Sequence, residues 1–246
     1  MISYLVGLAL SLSAGSLADL DIQISAKEAH RLDRPSYSSQ HDQIKARTAL
    51  AKAAEERTMH RVRYDGRYRK LAYPNGDVPN NIGVCTDLVV RAYRSVGVDL
   101  QSAIHEDMKR FFTHYPSKRI WGLTKPDSNI DHRRVPNMEA FFSRQGESLA
   151  ISRNANDYKS GDIVTWRLPG NLPHIGIVSA KRSAQGTPLV VHNIGQGPKL
   201  ENVLFAYSIK GHYRYFPQQD SEQLSCRCAT SGLYSNRLLT FDDVLG

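Results

Sequence analysis

From Gly161 to Phe216 the chain reads as a succession of short β-branched runs, DIVTWRL, HIGIVSA, PLVVHNI and GHYRYF, punctuated by Gly, Pro and Asn. Runs of that length and composition with turn residues between them predict an antiparallel meander. Upstream of Gly161 the pattern is helical. Residues 24 to 60 are rich in Ala, Lys, Glu and Arg at apolar helical spacing, interrupted at Pro35. In CTDLVVRAYRSVGVDL the residues Leu88, Val89, Ala92 and Tyr93 share one helical face, and Gly97 supplies a stop. HEDMKRFFTHYP is predicted helical and IWGLTKPDSN a loop. Pro136 suits the first turn of a helix through NMEAFFSRQ that Gly146 ends. Helices first and strands second predict an α+β fold, with the helices packed on an antiparallel sheet.

The 246 residues suffice for one sizeable core. Residues 1–18, MISYLVGLALSLSAGSLA, carry no charged side chain and are followed by Asp19 and Asp21. The stretch is short for a membrane span, and Ser16-Leu17-Ala18 offers small residues of the kind signal peptidase reads. It is therefore read as a secretion signal cleaved after Ala18. An uncleaved anchor or a buried N-terminal helix are the alternatives, because the segment lacks Lys and Arg. Residues 19–70 are then a helical extension, 71–217 the catalytic domain and 218–246 a tail without clear periodicity until its end. The expected location is the periplasm or the exterior, with no stable membrane insertion after cleavage.

A formal net charge of +8 is either a solvated basic surface or an attraction to a polyanion. Nothing in the sequence has zinc-finger spacing, an aromatic RNA-binding signature or heptads, so nucleic acid ranks last among the anionic partners.

Three cysteines in an exported chain leave at least one thiol without an internal partner. Cys226 and Cys228 flank Arg227, where a direct bridge is strained; free, joined or intermolecular states stay open. Cys85 stands apart. A lone cysteine is ordinarily a small core residue, so its context has to carry any claim of reactivity. That context is a loop, Asn81-Ile82-Gly83-Val84, giving way to a helix. A helix N-terminus stabilises a thiolate and offers unpaired N–H groups to an oxyanion. Thr86 and Asp87 read as helix-start residues, with Asp87 also in reach of Arg91. His174 opens one predicted strand and His192 closes the next, so the two can lie side by side as base and orienter for Cys85.

The succession GVCTDLVVRAY, GDIVTWRL, PHIGIVS and VVHNIG resembles the NlpC-type cell-wall peptidases, a branch of the papain-like fold. With YPNGDVP and NIDHRRVPN added, the chain is also similar to an uncharacterised bacterial family of exported domains of unknown function, over about Leu71 to Pro217. The resemblance implies Cys85 as nucleophile, His174 as base and His192 as orienter, with no cofactor and no metal. It implies cleavage of an amide bond in peptidoglycan stem peptides, with peptidoglycan or its muropeptides as partner. Tyr73 is the candidate for the tyrosine that lines the substrate pocket of such enzymes. Arg133 or Arg134 is positioned in sequence to hold a peptide carboxylate, against the alternative of a solvated charged loop. One departure is Val84-Cys85-Thr86 where those peptidases usually have Asp-Cys-Ser.

Three other readings remain beside this one. The chain can be a non-catalytic wall- or glycan-binding module on the same fold. His174, His192 and Cys85 or His132 can be metal ligands, although no HxxxH or CxxC pair is present. Acyl transfer is open to the same thiol, although relatives that transfer acyl groups often place the histidine before the cysteine.

Overall fold

A computed structural model describes residues 40–216. The predicted signal, the helical reading of residues 24–39, the tail and the pair Cys226 and Cys228 lie outside the described residues. Five α-helices come first: α1 (Gln40–Glu56), α2 (Cys85–Ser95), α3 (Leu100–Phe111), α4 (Ser117–Trp121) and α5 (Val135–Gln145). Between α1 and α2, β1 (Arg63–Tyr64) pairs in parallel with β2 (Ile82–Gly83). After α5 come β3 (Glu147–Ser148), β4 (Ile163–Leu168), β5 (Leu172–Arg182), β6 (Pro188–His192), β7 (Lys199–Glu201) and β8 (Ser208–Arg214). They form one antiparallel sheet in the order β3-β8-β4-β5-β6-β7. The α+β prediction holds. The meander is real from β4 to β7, but β8 returns across it to pair with β4.

Alternation along the strands sorts the sheet into two faces. Ile163, Ile175, Ile177 and Val191 join Leu88, Val89 and Tyr93 of α2, Met138 and Phe142 of α5, and Leu50, Ala53 and Ala54 of α1 in the main core. Val164, Trp166, Val178 and Val190 point the other way and meet Tyr158 and Leu204. Each fully buried Leu, Ile or Phe contributes about 1.5–3 kcal/mol. Because α1 helps build the main core, the predicted division between an extension ending at 70 and a domain starting at 71 does not correspond to a break in packing. Sequence periodicity identifies a helix but not what its apolar side covers.

The Gly161-Asp162 turn fastens this arrangement. Gly161 has φ +82, and a Cβ there would lie 2.6 Å from the Arg47 carbonyl oxygen of α1. Only glycine permits both the conformation and the approach. Asp162 accepts the Lys159 N–H at 2.8 Å, Arg214 Nε at 2.8 Å and Arg214 Nη2 at 3.0 Å, and lies 2.8 Å from His212 Nε2. The start of β4 is thereby held to β8.

Candidate active site

Val84, in extended conformation with φ −115 and ψ −172, caps α2, so Cys85 is its first helical residue. Asp87 makes this end rigid. Its Oδ2 accepts the Val84 N–H at 2.7 Å, and its two oxygens take Arg133 Nε and Nη2 at 2.8 and 3.0 Å. Arg133 continues to the carbonyls of Asp65 and Arg67 at 3.2 and 3.1 Å. Arg133 is thus buried and committed to holding the β1 segment beside α2, which corrects its expected role on a substrate carboxylate. Arg91, expected beside Asp87, instead meets Asp77 at 2.9 Å.

The held segment carries Tyr64, whose side-chain hydroxyl is hydrogen-bonded to Cys85. Asp65 locks it from the other side, accepting Arg67 Nη2 at 2.8 Å and Arg69 Nη2 at 3.2 Å. Tyr64 is the tyrosine at the thiol. Tyr73, expected there, donates to Glu106 at 2.7 Å and packs edge-on against His105 at 5.0 Å, so its hydroxyl is engaged by α3. Arg134 lies 4.1 Å over the Trp121 ring and 3.5 Å from Asp131. The side chains of Tyr73 and Arg134 are thus engaged away from Cys85, by Glu106 and His105 and by Trp121 and Asp131. Tyr64 was unreadable in sequence because a strand of two residues has no periodicity.

Cys85 meets the sheet where β6 has ended. The Val178 N–H reaches Asp162 at the start of β4, so by alternation the Ile175 N–H points to the opposite side of β5. Pairing with β6 begins only at Gly176. The Ile175 N–H therefore has no strand partner there and donates to the Cys85 sulfur, as does the Thr86 N–H. The thiol thus rests on the backbone immediately after His174.

His174 stacks on Trp166 at 5.7 Å between centroids, which fixes its ring plane. Its Nε2 lies 3.1 Å from Nδ1 of His192. The two histidines are diagonal neighbours across β5 and β6, because the residue opposite His192 is Gly176. A Cβ on Gly176 would lie 2.8 Å from Val190 Cγ1, 2.8 Å from Val191 O and 3.1 Å from His192 Cβ. The glycine in HIG is thus the gap through which the rings meet. On its far side His192 places Nε2 2.9 Å from Glu201 Oε2 on β7. Glu201 was not among the expected site residues, since three residues of β7 give too little alternation to assign a face.

Burial sets the protonation states. It pushes the Cys85 thiol up to about 11, with Asp87 adding to the rise against the Ile175, Thr86 and Tyr64 hydrogen bonds. It pushes His174 down to about 3, with His192 adding to the fall. The resting pair is a neutral thiol and a neutral imidazole. The helix terminus was expected to favour a thiolate, but at 4 % exposure desolvation outweighs it. His132, the other histidine considered as a ligand, is buried among different elements and pushed down to about 4 by burial and then Arg133. Among the described residues no group of three or more His, Cys, Asp or Glu side chains is arranged to hold a metal ion.

A groove of about 1030 Å³ is lined by Arg167 of β4, Asn171 of the following turn, Pro173 of β5, the residue before His174, and Lys118 and Arg119 of α4.

The sequence model for a domain of unknown function, DUF1287, matches residues 51–215. This chain belongs to the DUF1287 family. The DUF1287 chain is 50% identical over 203 residues to the uncharacterized protein YijF of Escherichia coli (strain K12), a match covering 82% of this chain and 98% of that one. Among solved structures it is similar to NlpC1 from Trichomonas vaginalis, with TM-score 0.39 and 14% identity, covering 74% of this chain and 47% of that one. NlpC2 from the same organism gives TM-score 0.38 and 13% identity, covering 70% and 48%. The DUF1287 chain spans about half the length of these two structures. In the DUF1287 chain a cysteine opens a helix that packs on an antiparallel sheet, and two strands of that sheet carry His174 and His192.

Proposed function

We propose that this DUF1287 protein is an exported cysteine hydrolase that cleaves an amide bond in peptidoglycan stem peptides. The observation that carries the reading is the convergence at Cys85: its sulfur rests against the Ile175 N–H, one residue from a histidine whose Nε2 is 3.1 Å from a second histidine. His174 takes the thiol proton as the sulfur attacks the amide carbonyl. The thiolate therefore exists only as it reacts, in keeping with the neutral resting pair. Backbone N–H groups at the start of α2 face the developing oxyanion. Collapse breaks the C–N bond while His174 protonates the leaving amine. A water, deprotonated by His174, then releases the acyl group from the sulfur.

The substrate assignment rests on the cell-wall peptidase resemblance, and two features suit it. The net charge of +8 attracts an anionic wall, and Lys118 and Arg119 of the groove are positioned for carboxylates of a stem peptide. Purified protein incubated with sacculi is expected to release muropeptide fragments identifiable by mass spectrometry, and Cys85→Ala to release none while keeping its melting temperature. Equal release by the variant overturns the mechanism.

The burial of the thiol favours one alternative, a binding module that keeps the fold without the reaction. It requires sacculus binding with no cleavage by the unmodified protein.

A further inference from the structure

The His174–His192 pair contains a choice that Cys85 chemistry depends on. One proton lies between His174 Nε2 and His192 Nδ1, 3.1 Å apart. If it belongs to His174, then Nδ1 of His174 carries a lone pair and serves as a base. If it belongs to His192, a neutral His174 carries its proton on Nδ1 and has no free nitrogen with which to take another. Nothing within the pair decides between these states. The deciding contact lies on β7.

We propose that Glu201 is a positioning residue for the reaction: its carboxylate selects the one pair of imidazole tautomers in which His174 is a base. An ionised carboxylate only accepts hydrogen bonds. Oε2 lies 2.9 Å from His192 Nε2 as an ion-pair contact off the axis of an aligned hydrogen bond, so it is the negative charge of the carboxylate that favours the His192 proton on Nε2 and leaves its Nδ1 an acceptor. His174 must then donate from Nε2, which leaves its Nδ1 free. The opposite tautomers would set the Nε2 lone pair of His192 against a carboxylate oxygen at a site where His192 is buried. The same contact stabilises the positive charge that arises when His174 takes the thiol proton.

Register explains why Glu201 can do this. Val190 pairs with Glu201 and His192 with Lys199, so Glu201 is the diagonal neighbour of His192 on the same face. The charged and titratable groups facing His192 are His174, Lys199 and Glu201. Burial lowers the His192 pKa, Lys199 adds to that, and Glu201 opposes both. Lys199 is turned aside, with its ammonium donating to Gln196. Because the Glu201 side chain is 43 % exposed, its charge is screened, and tautomer selection is the larger part of its effect.

The inference rests on the hydrolase reading for its catalytic meaning, but the tautomers can be measured without a substrate. Glu201→Gln keeps size and polarity, yet an amide can accept from or donate to His192 and so no longer selects. Imidazole ¹⁵N spectra of the unmodified protein should show both His174 and His192 protonated on Nε2, and Glu201→Gln should add Nδ1-protonated forms. On sacculi, kcat should fall on the order of tenfold with KM unchanged, and Glu201→Asp should recover part of it. Spectra identical in protein and variant overturn the inference. Failure of the unmodified protein to cleave sacculi overturns the hydrolase reading instead, while the spectra still judge Glu201.

Discussion

The sheet contains two buried histidines placed against carboxylates, and they do opposite things. His212 Nε2 lies 2.8 Å from Asp162, and its other nitrogen is 3.2 Å from the Ala150 carbonyl. Asp162 is completely buried and shared with Arg214 and a backbone N–H. The Tyr158 ring closes the site at 4.2 Å. That assembly ends in a backbone carbonyl, a tyrosine ring and Arg214, none of them a nucleophile. His192 lies 2.9 Å from Glu201 in an ion-pair contact, but its second nitrogen faces His174, and the backbone N–H that follows His174 is the one that meets the Cys85 sulfur. What the second ring nitrogen meets separates a clamp from a relay. A histidine–carboxylate pair alone is no sign of catalysis.

The largest expected effects break the two assemblies in different currencies. His174→Ala should lower sacculus cleavage by about 10²–10⁴-fold, the usual worth of a general acid–base group, while leaving the urea midpoint within experimental scatter of Cys85→Ala. Asp162→Ala should do the reverse. It strands Arg214 and His212 in a buried site, and loss of one partner from such a network costs about 3–5 kcal/mol. Activity per folded molecule should persist. If the Asp162 variant keeps its stability but loses its activity, the separation into clamp and relay fails.

Gly176→Ala sharpens the same comparison at a smaller scale. The added methyl meets Val190, the Val191 carbonyl and His192 at 3.1 Å or less, so β6 must shift. Overpacking of this kind costs about 1–3 kcal/mol. Because the shift moves His192 away from His174, cleavage should fall more than stability does. On the clamp side, β4 and β8 should be untouched, which amide hydrogen exchange along those strands would read.

How much of this was visible beforehand depends on the range over which each feature is encoded. The helix opening at Cys85 and strands β4 to β6 follow from local apolar period, and with them the candidates Cys85, His174 and His192. Tyr64 and Glu201 escaped because β1 and β7 are too short to carry a period. Arg133 was misassigned for another reason. Its partner Asp87 is 46 residues away, and an arginine written in a charged loop looks solvated until the fold buries it. The Gly-Asp turn was legible as a motif, but its purpose, contact with α1 and a bond to Arg214, needed the third dimension.

The smallest expected effect is a pH dependence of stability, to which His174 and His192 contribute together with His132 and Asp131. Burial holds the pKa of His174 at about 3 and that of His132 at about 4, with His192 also lowered, against an ordinary value near 6.5. For a histidine lowered in this way, the unfolded chain binds a proton that the native chain refuses once the pH drops below about 6.5. Stability is therefore complete above that pH and is lost on acidification, by up to about 1.4 kcal/mol per pH unit for each histidine. Asp131 works against this trend. Burial raises its pKa to about 6, so between roughly pH 6 and its unfolded value near 4 the native state takes up a proton and gains stability. The net expectation is a urea midpoint that falls between pH 7 and pH 5, and a slope that flattens in His174→Asn, which titrates one group fewer. A slope unchanged by His174→Asn would mean that the relay histidine is not held neutral, and the neutral resting pair with Cys85 would have to be abandoned.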